Sequence, residues 1–170
     1  VPAGQIIFAA SDREQASVAI VNVYESDFEW PQDTKITGIR VIQLFPKSTW
    51  HLDRPEIGLG DESLVRGVVG TAPVEPDGSA NFEAPVGVPL YFQAIDAQGR
   101  AVQSMRSATY LHRGERLTCV GCHEHKHGGP SNQGIMPVAW QRAPTGLEPP
   151  PVGAYPVSYP RLVQPVIDRK

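Results

Sequence analysis

The run Val88-Pro89-Leu90-Tyr91-Phe92-Gln93-Ala94-Ile95-Asp96-Ala97-Gln98-Gly99-Arg100-Ala101-Val102-Gln103-Ser104-Met105 decides the fold. Val88, Leu90, Phe92 and Ala94 alternate with Tyr91, Gln93 and Ile95, the period-two pattern of a strand with two distinct sides. Asp96-Ala97-Gln98-Gly99 has the composition of a tight turn. Residues 101–105 return as a second short strand. The stretch 89–105 therefore predicts a β-hairpin.

Other segments have the same character. Residues 17–24 carry Val18, Ile20, Val21 and Val23, and residues 35–45 carry Ile39 and Val41 around Arg40. Further strands are predicted over 66–74, 81–84 and 108–112, with Pro76-Asp77-Gly78 as a tight turn before Phe82. Residues 48–64 have weak periodicity and read as a long loop holding Trp50 and His51. With 17 prolines and 16 glycines among 170 residues, turns and short elements are favoured over long helices. The expected fold is mainly β, an antiparallel β-sandwich or small barrel. Residues 1–142 form the expected domain. Residues 143–170, with Pro149-Pro150-Pro151, read as a Pro-rich extended tail or linker.

Composition narrows the function classes. The formal net charge is −3, and no basic stripe is present, so no nucleic-acid partner is expected. No apolar run approaches the roughly 20 residues needed to span a bilayer. The chain begins at Val1, which suggests a removed signal peptide or one domain of a longer protein.

Both cysteines fall in one motif, Cys119-Val120-Gly121-Cys122-His123. C-x-x-C-H is the pattern of c-type haem attachment. Two thiols at this spacing reach the two vinyl groups of one porphyrin, and the next residue lies where its imidazole can bind the iron. The motif thus predicts one covalent haem c, with thioether bonds from Cys119 and Cys122 and His123 as an iron ligand, on a short helical segment. Two other readings of the same residues stay open. Two thiolates with His123 and His125 or His127 would make a structural zinc site, and the two thiols alone would make a redox dithiol.

The second iron ligand is open at this level. Met105 lies on a different strand and can approach the opposite face, although a methionine there also reads as core. If the motif is helical, His127 shares a face with His123. His112 reads as an exposed strand residue and His51 as an exposed loop residue; Met136 and His125 complete the candidates. An open sixth position is what a reactive haem would need.

Several blocks together resemble a known family. They are residues 66–74 (Arg66-Gly67-Val68-Val69-Gly70-Thr71-Ala72-Pro73-Val74), 77–82, 91–96, 99–107, Gly114-Glu115, and Cys119 through Glu124. In order and spacing, over roughly residues 17–128, they resemble the hydrazine synthase alpha subunit middle domain and its relatives in multidomain bacterial proteins. The resemblance implies a β-rich domain bearing one c-type haem and exported from the cytoplasm to the periplasm. It also implies other haem domains or redox proteins as partners, in a longer chain or complex. In the synthase the corresponding haem is thought to join nitrogen atoms from nitric oxide and ammonia. There, a tyrosine follows the motif histidine at the distance held here by His127, a departure that argues against a synthase-type iron environment. Residues 162–170 resemble the lead-in to a further C-x-x-C-H motif in such proteins.

Three functions are therefore carried forward. The first is a c-type cytochrome domain for electron transfer. The second is a haem-dependent oxidoreductase with a five-coordinate iron open to nitric oxide, hydroxylamine or ammonia. The third is a zinc-stabilised β-sandwich interaction module.

Overall fold

The computed structural model describes residues 5–6, 15–46, 65–123, 134, 136–151 and 159–169. Among them are nine strands: β1 (Gln5–Ile6), β2 (Ala16–Ile20), β3 (Gly38–Phe45), β4 (Val65–Pro73), β5 (Ala80–Ala84), β6 (Pro89–Ile95), β7 (Ala101–Ser104), β8 (Thr109–Tyr110) and β9 (Arg116–Cys119). One sheet has the order β1-β9-β2-β5. The other has β4-β3-β6-β7, with β8 also pairing to β6. All pairings are antiparallel except β2 with β9, which run parallel.

The two sheets enclose one core, as a β-sandwich does. Val18 and Ile20 of β2 and Phe82 of β5 meet Ile39 and Val41 of β3 and Leu90, Phe92 and Ala94 of β6 in a single buried cluster. The Phe82 and Phe92 rings cross edge-to-face at 5.7 Å, each from a different sheet, a geometry aromatic quadrupoles favour. The alternation in β6 places Leu90, Phe92 and Ala94 inward as expected. Its other side is covered too: Arg66 lies over the Tyr91 ring at 5.4 Å, and Gln93 donates to Ser104 Oγ.

Both sequence-marked turns form. In the β6–β7 hairpin, Asp96 Oδ1 accepts from the amides of Gln98 and Arg100, and Gly99 sits at φ +73°, where a side chain is strained. The Pro76-Asp77-Gly78 turn does not make a hairpin within one sheet; it carries the chain from β4 to β5 in the opposite sheet.

Two elements depart from the sequence reading. β9 was not anticipated, and it sets the parallel edge beside β2. The short helix expected at the C-x-x-C-H segment is not formed over 119–123. Its backbone is instead bound laterally to residues 21–27. Val21 N–H donates to Cys119 O, Asn22 N–H to Val120 O, Cys122 N–H to Glu25 O and Asp27 N–H to His123 O. Groups committed to a neighbouring strand are unavailable for the i to i−4 bonds of a helix. Residues 48–64 and 124–133, including His51, His125 and His127, lie outside the description.

Residues 143–151 run extended along the sandwich. Thr71 and Glu148 exchange amide hydrogen bonds at 2.8 and 2.9 Å, Glu83 N–H donates to Thr145 O, and Leu147 packs on the core. Before this strap, a 3-10 turn (Val138–Gln141) is anchored by Asp77, Ser79 and Asn81. None of the described helices is long and apolar enough to cross a membrane.

Candidate functional site

The parallel pairing of β9 with β2 builds the site. It sets Cys119 opposite Ile20 at the end of one sheet, and the chain then bends so that Cys122 and His123 follow along residues 25–27. Gly121 is required at that bend. A Cβ there would stand 1.9 Å from the Glu25 carbonyl oxygen and 2.6 Å from Glu25 Cβ. Only a hydrogen in place of a side chain allows so close a backbone approach.

Beside this bend lies a cavity of about 310 Å³, at the small end of the range for ligand sites. The first sheet contributes Ile20 and Cys119 to its wall; the second contributes Ile39, Phe92 and Ala94. The segment that leaves β7 adds Met105, Arg106 and Ser107, and the bend adds Cys122 and His123. Cys119, Cys122 and Met105 also pack against the core cluster. Four of the sequence-predicted residues, Cys119, Cys122, His123 and Met105, therefore meet around one space. His112 does not join them: it is exposed, near the Tyr110 ring, and its amide donates to Glu115 Oε2 at 2.7 Å. Met136 is 65% exposed.

The electrostatics of the thiols are set by burial. Cys122 is enclosed by apolar groups, and this desolvation pushes its thiol up to about 12, because a low-dielectric surrounding disfavours the thiolate. The Cys122 thiol is therefore neutral at ordinary pH in the chain without a bound group. Among the described residues no three Cys, His, Asp or Glu side chains gather around a point that a metal ion could occupy; His125 and His127, the further ligands of the zinc reading, lie outside the described residues. The donor set does fit a c-type haem: two thiols, an adjacent imidazole and a thioether sulfur from the other sheet, around a mostly apolar hollow.

His123 is held from outside by residues 26–28. Ser26 pairs with it as an isolated parallel bridge, and the Phe28 ring packs on the imidazole at 4.3 Å. Arg106 in turn lies over the Phe28 ring at 5.6 Å. The sequence reading missed Asp27, Phe28, Gln103, Arg106 and Ser107 as site residues. Asp27 and Phe28 lie about a hundred positions before His123 in the chain in a polar loop without periodicity, so no local pattern marks them.

Comparison with known proteins bears on the site. Residues 33–124 match the model of the hydrazine synthase alpha subunit middle domain. The chain is 34% identical over 108 residues to hydrazine synthase subunit alpha of Kuenenia stuttgartiensis, a match spanning 55% of this chain and 13% of that protein. A solved structure of Kuenenia stuttgartiensis hydrazine synthase superposes with a TM-score of 0.59 at 24% identity, covering 76% of this chain and 20% of the other. At that identity the superposition speaks for the shared fold alone. The chain thus corresponds to a small part of the relatives it matches.

Proposed function

Because the chain belongs to the hydrazine synthase alpha subunit middle-domain family, we propose that it is a c-type cytochrome domain carrying one covalent haem for electron transfer. The observation that carries this reading is the convergence of Cys119, Cys122, His123 and Met105 on one cavity at the end of the sandwich. Cys119 and Cys122 would bond the porphyrin, and His123 would bind the iron. Met105, arriving from the opposite sheet, would offer its sulfur as a further iron ligand. When bound, the haem supplies a one-electron iron couple whose potential follows axial ligation, burial and nearby hydrogen bonds. Ile20, Ile39, Phe92 and Ala94 line the hollow with apolar surface and would lower the dielectric around the group. Attachment of haem to thiols takes place outside the bacterial cytoplasm, so the reading implies a periplasmic or otherwise extracytoplasmic site. The matched proteins are several times longer than this chain, and in this reading other haem domains or redox proteins would be the electron partners.

A second reading has a specific observation in its favour. Gln103, Arg106 and Ser107 place polar groups on the cavity wall, as a five-coordinate iron acting on nitric oxide, hydroxylamine or ammonia would use. The two are separated by the reduced spectrum. A low-spin spectrum unaltered by carbon monoxide supports the relay; rapid binding of carbon monoxide or nitric oxide supports the enzyme.

The parent claim is tested by maturing the chain in a host with haem-attachment machinery. The denatured protein should keep its colour and one added haem mass, and Cys119→Ser with Cys122→Ser should remove both. A colourless product of unmodified mass would end the cytochrome reading.

A further inference from the structure

His123 lines the cavity, but its Nδ1 is unaccounted for. Nδ1 is shut off from solvent and has no hydrogen-bond partner. The nearest carboxylate is Asp27, whose Oδ2 lies 3.6 Å away. That gap is too long for a hydrogen bond. It is within reach of a small side-chain rotation, and the Asp27 side chain is 47% exposed and so has room to turn. The backbones are already locked together, because Asp27 N–H donates to His123 O at 3.2 Å.

We propose that Asp27 is the positioning residue of His123, its carboxylate accepting the Nδ1 proton so that Nε2 is the nitrogen left to face the iron. The inference rests on the haem reading for the role of Nε2, but the pairing itself does not need the haem. Three features of the same corner support it. A buried N–H without an acceptor is unfavourable, and no other described acceptor meets Nδ1. Phe28 packs against the ring and limits its rotation. Arg106 over Phe28 closes the corner from the cavity side. A histidine ligand whose other nitrogen is bound to a carboxylate is fixed in one tautomer and made a stronger donor. Asp27 would thereby tune the iron without touching it.

The test uses the full chain in two forms. In the chain without haem, nitrogen-15 NMR of the histidine rings, with His123 assigned by His123→Gln, should show the Nδ1–H tautomer dominant. Asp27→Ala should shift the tautomer ratio about tenfold toward Nε2–H, and Asp27→Asn, which keeps an acceptor oxygen, should restore most of it. An unchanged ratio in Asp27→Ala overturns the proposal. Asp27→Leu, close in size and without an acceptor, must shift the ratio in the same way and decides the matter if the alanine variant does not fold. In the matured chain, Asp27→Asn should keep its haem mass and raise the midpoint potential, because a negative charge near the ligand is gone. An unchanged potential with haem attached overturns the tuning role. Absence of haem mass in the parent chain defeats the haem reading instead, and the NMR arm still decides the pairing.

Discussion

Replacing Gly121 with alanine tests the geometry of the site most directly. The added Cβ would lie 1.9 Å from Glu25 O, whereas van der Waals contact begins near ~3.5 Å. The two backbones must therefore part by about 1.5 Å. Of the hydrogen bonds along this seam, the two on the Glu25 side of the bend are Cys122 N–H to Glu25 O at 3.1 Å and Asp27 N–H to His123 O at 3.2 Å. A separation of that size breaks both, at a net loss of about 1 kcal/mol each. Overpacking adds about 1–3 kcal/mol, and the entropic benefit of alanine in the unfolded chain returns about 0.4–1 kcal/mol. The expected loss is roughly 2–4 kcal/mol. With a urea slope of about 2 kcal/mol/M, the midpoint should fall by about 1–2 M. Gly146→Ala is the control, since nothing lies within 4 Å of a Cβ there, and it should stay within about 0.5 kcal/mol of the parent. Haem attachment should fall in the Gly121 variant alone. A Gly121→Ala midpoint within about 0.2 M of the parent would refute the close seam between 119–123 and 21–27.

The remaining expectations are more local. Met105→Leu should cost under about 1.5 kcal/mol of stability yet convert the matured protein to a form that binds carbon monoxide; an unchanged spectrum would remove Met105 from the iron. The Cys122 thiol, raised by burial from 9.0 to about 12, stays protonated in the folded chain while the unfolded chain ionises. The chain without haem should therefore have this contribution in full below pH 9 and lose up to roughly 4 kcal/mol as pH rises from 9 toward 12. Cys122→Ser should abolish that slope, and identical pH profiles for the two would contradict the burial of the thiol. Phe82, fully buried and crossed by Phe92, should lose about 3–5 kcal/mol on change to alanine by urea denaturation, and a loss below about 1 kcal/mol would contradict the single core shared by both sheets.

Much of this molecule is written in local pattern. Alternation in Leu90, Phe92 and Ala94 marks β6 because side chains of a strand alternate faces regardless of what lies beyond them. Asp96 through Gly99 and Pro76 through Gly78 mark turns because their backbone preferences are intrinsic. The C-x-x-C-H spacing of Cys119, Cys122 and His123 is legible without any fold. What distance in the chain separates, only packing joins. β9 escaped notice because Arg116, Leu117 and Thr118 alternate too briefly to stand out, and its identity comes from the parallel hydrogen bonds that β2 offers it. The motif lacks the expected helix over 119–123 for the same reason: residues 21–27 claim its amides and carbonyls. That Met105 reaches the cavity while His112 stays outside it is decided only by how the sheets pack. Asp27 and Phe28 carry no local signal at all. Their roles arise because the sandwich closes a loop from one end of the chain over a histidine from the other, and the free energy of that closure belongs to the whole core.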